Sequence, residues 1–342
     1  MEIKGPYLLF LGDETDPKTL KVAQGLAYWR PESCVGQFRL AAGAAGVALP
    51  DVSIRQAVVA GAQTMIVGVA NMGGVLPNKW VDTIIAALEA GLDVASGMHM
   101  RLGDVPAILA AAQSSGRALI DVREPPAALL PGNGQRRNGK RLLTVGTDCT
   151  VGKMYTSLAL QREMQSNGID ARFRATGQTG ILVAGDGISV DAVVADFISG
   201  AAECLSPANV DEHWDIVEGQ GSLFHPSYAG VSLGLLHGTQ ADALVVCHDV
   251  ARTEMEDVQG FSVPSLEETI ATNLALGRRT NPDMRCVGIS VNTSSLSSQA
   301  ATEYLRDTER RLEIPCCDPV RSGVAKIVAN LALEGHKLAV EG

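Results

Sequence analysis

The stretch LLTVGTDCTVGKMYTSLAL, residues 142–160, decides the fold of the second half of the chain. An apolar run ends at Gly146, and a helical pattern opens at Lys153 after a short polar turn. A strand, a glycine-bounded turn and a helix that opens with Gly-Lys are typical of a phosphate-binding loop (P-loop), in which backbone N–H groups and a lysine surround an anion. The cofactor-binding residues expected from this motif are Gly146, Thr147, Asp148, Cys149, Thr150, Val151, Gly152, Lys153, Met154 and Tyr155.

The residue after Lys153 departs from the usual motif. Loops that hydrolyse nucleotides place Ser or Thr there, and its hydroxyl binds Mg²⁺, whereas this chain has Met154. Thr156 and Asp148 are alternative ligands, but neither occupies the equivalent position. The sequence therefore predicts a phosphate-binding site with no metal and without efficient Mg-dependent phosphoryl transfer.

Composition limits the classes of function. The chain has 342 residues, of which 46% are hydrophobic and 19% charged, so it is expected to be globular and long enough for two domains. A net charge of −10 argues against binding to nucleic acid or to an anionic membrane surface. Seven cysteines without a CxxC pair and an N-terminus without a signal peptide or membrane span predict a cytoplasmic protein, and we expect a homo-oligomer.

The first part of the chain alternates buried strand patterns with helical patterns. Strand patterns appear at YLLFLGD, TMIVGVANMGG, LDVASGMH and RALIDVR. This rhythm predicts a Rossmann-like parallel sheet over residues 1–130. A dinucleotide fingerprint is not expected, because the adjacent Gly73 and Gly74 lack the required spacing.

A proline- and glycine-rich stretch with a basic cluster, residues 124–140, predicts an interdomain linker, which we place at 131–140. Further strand patterns follow the P-loop at WDIVEG, DALVVCHD and RCVGISVNT. They predict a second doubly wound α/β domain of the P-loop NTPase type over residues 141–342. The expected fold class is thus α/β with two parallel-sheet domains.

The P-loop carries a first resemblance. Its two glycines are separated by five residues, one more than in the common motif, and this spacing in a GTD…VGK context resembles dethiobiotin synthetase and its P-loop relatives. Such an enzyme would use ATP and Mg²⁺, with Glu218 and Asp148 as metal ligands. Met154 weakens this alternative, and a non-catalytic nucleotide-sensing P-loop protein is a further one.

A wider set of motifs resembles another family. GTDCTVGK, TGQTGI, VDAVVADFISGAAE, VEGQGSLFHPSYAGVSLGLLHG and SGMH are together similar to the P-loop-domain proteins long described as of unknown function, whose characterised members are D-glutamate N-acetyltransferases of the DgcN type. The resemblance implies acetyl-CoA as donor and D-glutamate as acceptor. The phosphates of CoA are bound but not transferred, so a loop with Lys153 and without a metal ligand is sufficient.

Acetyl transfer to an amine needs a proton acceptor and groups that hold the amino acid. Glu218 and His225 are the candidate catalytic residues. Glu218 ends an apolar strand, where burial is expected to raise its pKa, and His225 lies before Pro226 on the loop that follows. Polar side chains at the ends of parallel strands are expected to line the site, and Arg252 or Arg174 is expected to bind a substrate carboxylate. The predicted substrate-binding residues are Thr176, Gln178, Thr179, Asp191, Gln220, Ser222 and Arg252.

Overall fold

The structure, a computed structural model, describes residues 3–70 and 72–331. The chain forms two compact units, one of residues 1–125 and 177–192 and the other of residues 126–176 and 193–342. Each contains one parallel sheet, so the predicted two-sheet α/β fold class is confirmed. Among the described residues, no helix is both long and apolar enough to cross a bilayer.

The first unit contains a five-stranded sheet in the order β2-β1-β3-β4-β5. Its strands are β1 (Tyr7–Gly12), β2 (Cys34–Arg39), β3 (Thr64–Val67), β4 (Asp93–Ser96) and β5 (Leu119–Asp121). Its first helices are α1 (Lys21–Trp29), α2 (Ile54–Val59), α3 (Val81–Glu89) and α4 (Pro106–Ser115). Every residue of β1 is buried, as expected for a strand with both faces covered by the rest of the unit.

The second unit contains a six-stranded sheet in the order β11-β10-β9-β6-β8-β7. Its strands are β6 (Lys140–Gly146), β7 (Ala171–Arg174), β8 (Trp214–Val217), β9 (Ala243–Asp249), β10 (Arg285–Asn292) and β11 (Cys316–Cys317). Further helices along the chain include α5 (Lys153–Ser166), α6 (Gln178–Ala184), α7 (Ile198–Leu205), α8 (Ala229–Thr239), α9 (Leu266–Gly277) and α10 (Ser298–Leu312).

One segment departs from a simple division along the chain. Residues 177–192, which include α6, belong to the first unit although both flanking segments belong to the second. Within the first unit, α6 packs against α1, and Arg30 donates a 3.1 Å hydrogen bond to the carbonyl of Val183.

The strand order of the second sheet places the P-loop, which follows β6, at the point where successive strands are added first on one side of β6 and then on the other. From β6 the chain goes to β7 and β8 on one side, and then crosses to β9, β10 and β11 on the other. In open parallel sheets, ligands bind beyond the carboxyl ends of the strands at such a switch point. The ends of β8 and β9, which both pair with β6, therefore flank the loop.

Candidate functional site

The P-loop has a backbone that is open to an anion. Thr150 has φ +50 and Gly152 has φ +96, so the chain twice enters the left-handed region before α5 begins. Among the described residues, the N–H groups of residues 149–152 donate to no protein acceptor, and a Cβ added to Gly152 would meet no atom within 4 Å. Unpaired N–H groups at a helix N-terminus form a concave binding site for phosphate.

Lys153 is the buried cation of this loop. Its side chain lies inside the fold, with the residue 7% exposed, and its Nζ donates a 2.8 Å hydrogen bond to the carbonyl of Asp148. Burial lowers the pKa of the ammonium group below its usual value, while nearby anionic groups, Glu218 among them, act in the opposite direction. The loop thus holds a positive charge that an anionic ligand would stabilise.

The side chains after Lys153 do not rebuild a metal site. Met154 and Tyr155 lie half-buried in the first turn of α5. The hydroxyl of Thr156 donates to the carbonyl of Gly152 at 3.0 Å and lies 2.7 Å from the hydroxyl of Ser290. Thr156 is fully buried in these contacts, so it does not replace the missing hydroxyl at position 154.

A strand-end cluster joins four of the predicted residues. The Thr176 N–H donates to Oε2 of Glu218 at 2.9 Å, and the Thr176 hydroxyl donates to the Glu218 carbonyl at 2.6 Å. The Gln220 amide donates to the same hydroxyl at 3.0 Å, and Ser222 donates to the carbonyl of Thr147 at 3.2 Å. The ends of β7 and β8 and the P-loop are therefore joined by hydrogen bonds.

Glycine at position 219 makes this close approach of β8 to β6 feasible. A Cβ there would lie 1.7 Å from the carbonyl oxygen of Thr144 and 3.1 Å from Cδ of Lys153. The Gly219 N–H donates to the hydroxyl of Thr144 at 3.0 Å. Glu218 is thereby fixed beside the P-loop lysine.

Arg252 lies on the loop after β9 and contacts the tip of the P-loop. Its guanidinium donates to the hydroxyl of Thr150 at 3.0 Å and lies 3.4 Å from Oδ2 of Asp148 and 4.0 Å from Glu256. The Glu256 N–H donates to the same Asp148 oxygen at 2.8 Å. Arg174, the other arginine considered for substrate binding, is instead paired with Asp215, whose side chain is 2% exposed.

His225 is close to the P-loop, but both of its ring nitrogens have backbone partners. Nε2 lies 2.9 Å from the carbonyl of Glu256, and Nδ1 accepts from the N–H of Ser227 at 3.2 Å. This pairing favours the tautomer in which Nε2–H donates to the Glu256 carbonyl. The ring also packs on Tyr228, with centroids 4.6 Å apart.

Asp148, Cys149 and His225 have potential metal-binding atoms within 4.8 Å of one another. One feature opposes metal binding by this group. A metal on His225 would displace the backbone contacts of both ring nitrogens. A site without metal stays a prediction.

Three predicted substrate-binding residues, Gln178, Thr179 and Asp191, belong to the first unit. Gln178 and Thr179 open α6, and the side-chain oxygen of Gln178 is buried without a partner among the described residues. Asp191 is paired with Arg123 and accepts a 2.6 Å hydrogen bond from Ser189. This pairing already neutralises the Asp191 carboxylate, which the sequence predicted to bind substrate.

One residue at a strand end of the site was given no role from the sequence. His248 follows Cys247 near the end of β9, and its Nδ1 lies 3.0 Å from the hydroxyl of Thr147. The signal was present in DALVVCHD, where polar residues follow a buried strand. What the sequence lacked was the neighbour relation of β9 and β6.

Comparison with known proteins gives one family. Residues 130–328 match the P-loop domain and residues 35–125 the Rossmann-like domain of a family described as a domain of unknown function, DUF1611. A DUF1611 family protein from Anabaena variabilis has a similar structure, with a TM-score of 0.85, 30% identity, and coverage of 96% of this chain and 100% of that one.

Two relatives carry a functional name. The D-glutamate N-acetyltransferase of a Pseudoalteromonas species is 52% identical over 331 residues, which are 97% of this chain and 100% of the relative. That of Tritonibacter scottomollicae is 50% identical over 330 residues, 96% and 99% of the two chains. These matches confirm the resemblance drawn from the motifs. The chain belongs to the DUF1611 family, and the two D-glutamate N-acetyltransferases are its relatives.

Proposed function

We propose that the protein is an N-acetyltransferase that moves the acetyl group of acetyl-CoA to the amino group of D-glutamate. The single observation that carries the proposal is the P-loop with a buried lysine and no metal-binding hydroxyl, in a chain half identical to two D-glutamate N-acetyltransferases over nearly its whole length. Such a loop suits a ligand whose phosphates are bound and left unreacted.

The donor follows from the chemistry of this loop. Coenzyme A carries a pyrophosphate and a 3′-phosphate, and the open N–H groups of residues 149–152 with Lys153 match one such group. Arg252, at the tip of the loop and 23% exposed in its side chain, supplies a second cation for an anionic group of either substrate. No step of acetyl transfer needs a metal in this scheme.

An ATP-dependent synthetase is not favoured. That reaction relies on Mg²⁺ to neutralise charge on the transferred phosphoryl group. Met154 offers no ligand, and the Thr156 hydroxyl is engaged by Gly152 and Ser290. The P-loop is thus better suited to hold a phosphate than to transfer one.

The experiment is a release assay for free CoA thiol with acetyl-CoA and one amino acid at a time. We expect D-glutamate to react faster than L-glutamate and D-alanine. An arginine that binds the side-chain carboxylate would remain unpaired with D-alanine, and polar mismatches of this kind discriminate by about 10⁴-fold. Equal rates with all three would contradict a dicarboxylate site, and no thiol release with D-glutamate would refute the proposed function.

A further inference from the structure

His248 is held beside the P-loop by the register of two neighbouring strands. Gly146 of β6 pairs with Cys247 of β9, and the Thr147 N–H donates to the Cys247 carbonyl at 3.0 Å. Thr147 directly follows β6 and His248 follows Cys247 in β9, and Nδ1 of His248 lies 3.0 Å from the hydroxyl of Thr147, which is fully buried. The imidazole therefore has a fixed orientation at the carboxyl edge of the sheet.

The second ring nitrogen of His248 is what distinguishes this histidine. Within the part of the chain that the structure describes, its Nε2 has no protein partner. His225 uses both ring nitrogens on backbone groups, and His213 uses both on the carboxylates of Asp170 and Asp215. In the tautomer in which Nδ1–H donates to the Thr147 hydroxyl, Nε2 of the half-buried His248 ring keeps a lone pair for a proton.

The surroundings keep this imidazole neutral. Burial lowers the pKa of His248 below its usual value, and the charged group that faces it, Asp249, acts in the opposite direction. The Asp249 carboxylate is itself engaged, because it accepts hydrogen bonds from Asn292 at 2.8 Å and from the N–H of Ala251 at 2.9 Å. Thr147, on the P-loop side, is uncharged.

We propose that His248 accepts the proton that the amino group loses during acetyl transfer and delivers it to the departing CoA thiolate. This inference rests on the function proposed above. The neutral amine forms a C–N bond to the thioester carbonyl, its nitrogen becomes cationic, and Nε2 takes one proton from it. The C–S bond then breaks, the thiolate takes that proton, and His248 returns to the neutral form, so that protons and electron pairs balance.

The test compares the same substitution at two histidines of the second unit. His248→Asn keeps a side-chain donor for Thr147 but removes the proton acceptor, and kcat is expected to fall about 10²-fold. His237→Asn is the control. His237 lies in the last turn of α8, just before the chain enters the amino end of β9, whereas His248 lies near the carboxyl end of that strand. His237→Asn should leave kcat unchanged. Circular dichroism and CoA titration verify that both variants fold and bind.

Two further readouts separate proton transfer from a structural role. The acidic limb of the kcat–pH profile, where wild-type protein loses activity as His248 becomes protonated, should disappear in His248→Asn. Added imidazole should restore part of the activity of His248→Ala.

If His248→Asn retains kcat and the acidic limb of its pH profile is unchanged, the role of His248 as proton acceptor is overturned. Activity of the wild-type protein in the same assay would still support the proposed N-acetyltransferase function. If the acidic limb disappears in Glu218→Gln and not in His248→Asn, the Glu218 carboxylate accepts the proton from the amine, and the role proposed for His248 is also overturned. Wild-type protein without N-acetylation of D-glutamate would overturn both.

Discussion

The ammonium group of Lys153 donates a 2.8 Å hydrogen bond to the backbone carbonyl of Asp148, at the start of the same loop. The contact compensates part of the cost of burying a cation. A phosphate oxygen is a stronger, charge-assisted partner than a carbonyl. The loop is therefore organised around a charge that a ligand can bind with little rearrangement.

Removal of this charge should weaken CoA binding. Lys153→Ala is expected to reduce the binding free energy by about 2 to 3 kcal/mol, the range for loss of a charge-assisted hydrogen bond in a partly desolvated site. Titration calorimetry measures it, with Lys140→Ala as the control because Lys140 is an exposed lysine at the start of β6. Unchanged affinity in folded Lys153→Ala would remove the P-loop from the CoA site.

The affinity for CoA should also depend on pH. Burial lowers the pKa of Lys153 in the free protein, so the ammonium loses its charge as pH rises through this lowered value. CoA affinity is then expected to be fully present below that pKa and to fall above it, and binding at alkaline pH should take up a proton. Calorimetry in two buffers of different ionisation enthalpy detects this uptake. Lys153→Arg should flatten the dependence, because guanidinium stays charged.

Glu218 should affect the pH at which CoA affinity is lost. Its anionic carboxylate raises the pKa of Lys153, and Glu218→Gln removes the charge while keeping an oxygen that can accept from the Thr176 N–H. The alkaline loss of CoA affinity is therefore expected to begin at lower pH in this variant. The same titrations measure it, and coincident curves for the two proteins would show that Glu218 does not support the lysine.

The protein should not hydrolyse ATP or GTP at the rates of P-loop enzymes, because Met154 cannot bind Mg²⁺. Phosphate release measures this directly, with and without EDTA. A turnover of about one per second that EDTA abolishes, within the range of phosphoryl-transfer enzymes, would support the synthetase alternative against ours.

A methyl group at position 219 should destabilise the second unit. Its Cβ would lie 1.7 Å from the Thr144 carbonyl, so Gly219→Ala is expected to lower the free energy of unfolding by about 3 kcal/mol, the upper range for overpacking. Gly230→Ala, in α8, is the matched control because its added Cβ meets no atom within 4 Å. Thermal denaturation compares the two. Equal melting temperatures would mean that β6 and β8 separate easily.

Local patterns in the sequence determined most of the strands, the P-loop and the division into two α/β sheets. Continuous apolar runs such as residues 8–11 need cover on both faces, and a glycine turn before a helix that opens with lysine leaves N–H groups for an anion. These properties depend on neighbouring residues along the chain, and they sufficed to identify the loop and its family. The residues at the ends of β7 and β8, Thr176 and Glu218, were found for the same reason.

Only the tertiary structure decided which of these ends meet. The pairing of β9 with β6 brings His248 to Thr147 across 101 positions of sequence, and the chain folds residues 177–192, with Asp191, into the first unit. Arg174 was assigned to a substrate carboxylate because its sequence position does not reveal Asp215, its partner on the adjacent strand. Strand order and side-chain partners arise from contacts between distant segments, whereas periodicity and turn chemistry report only on neighbouring residues.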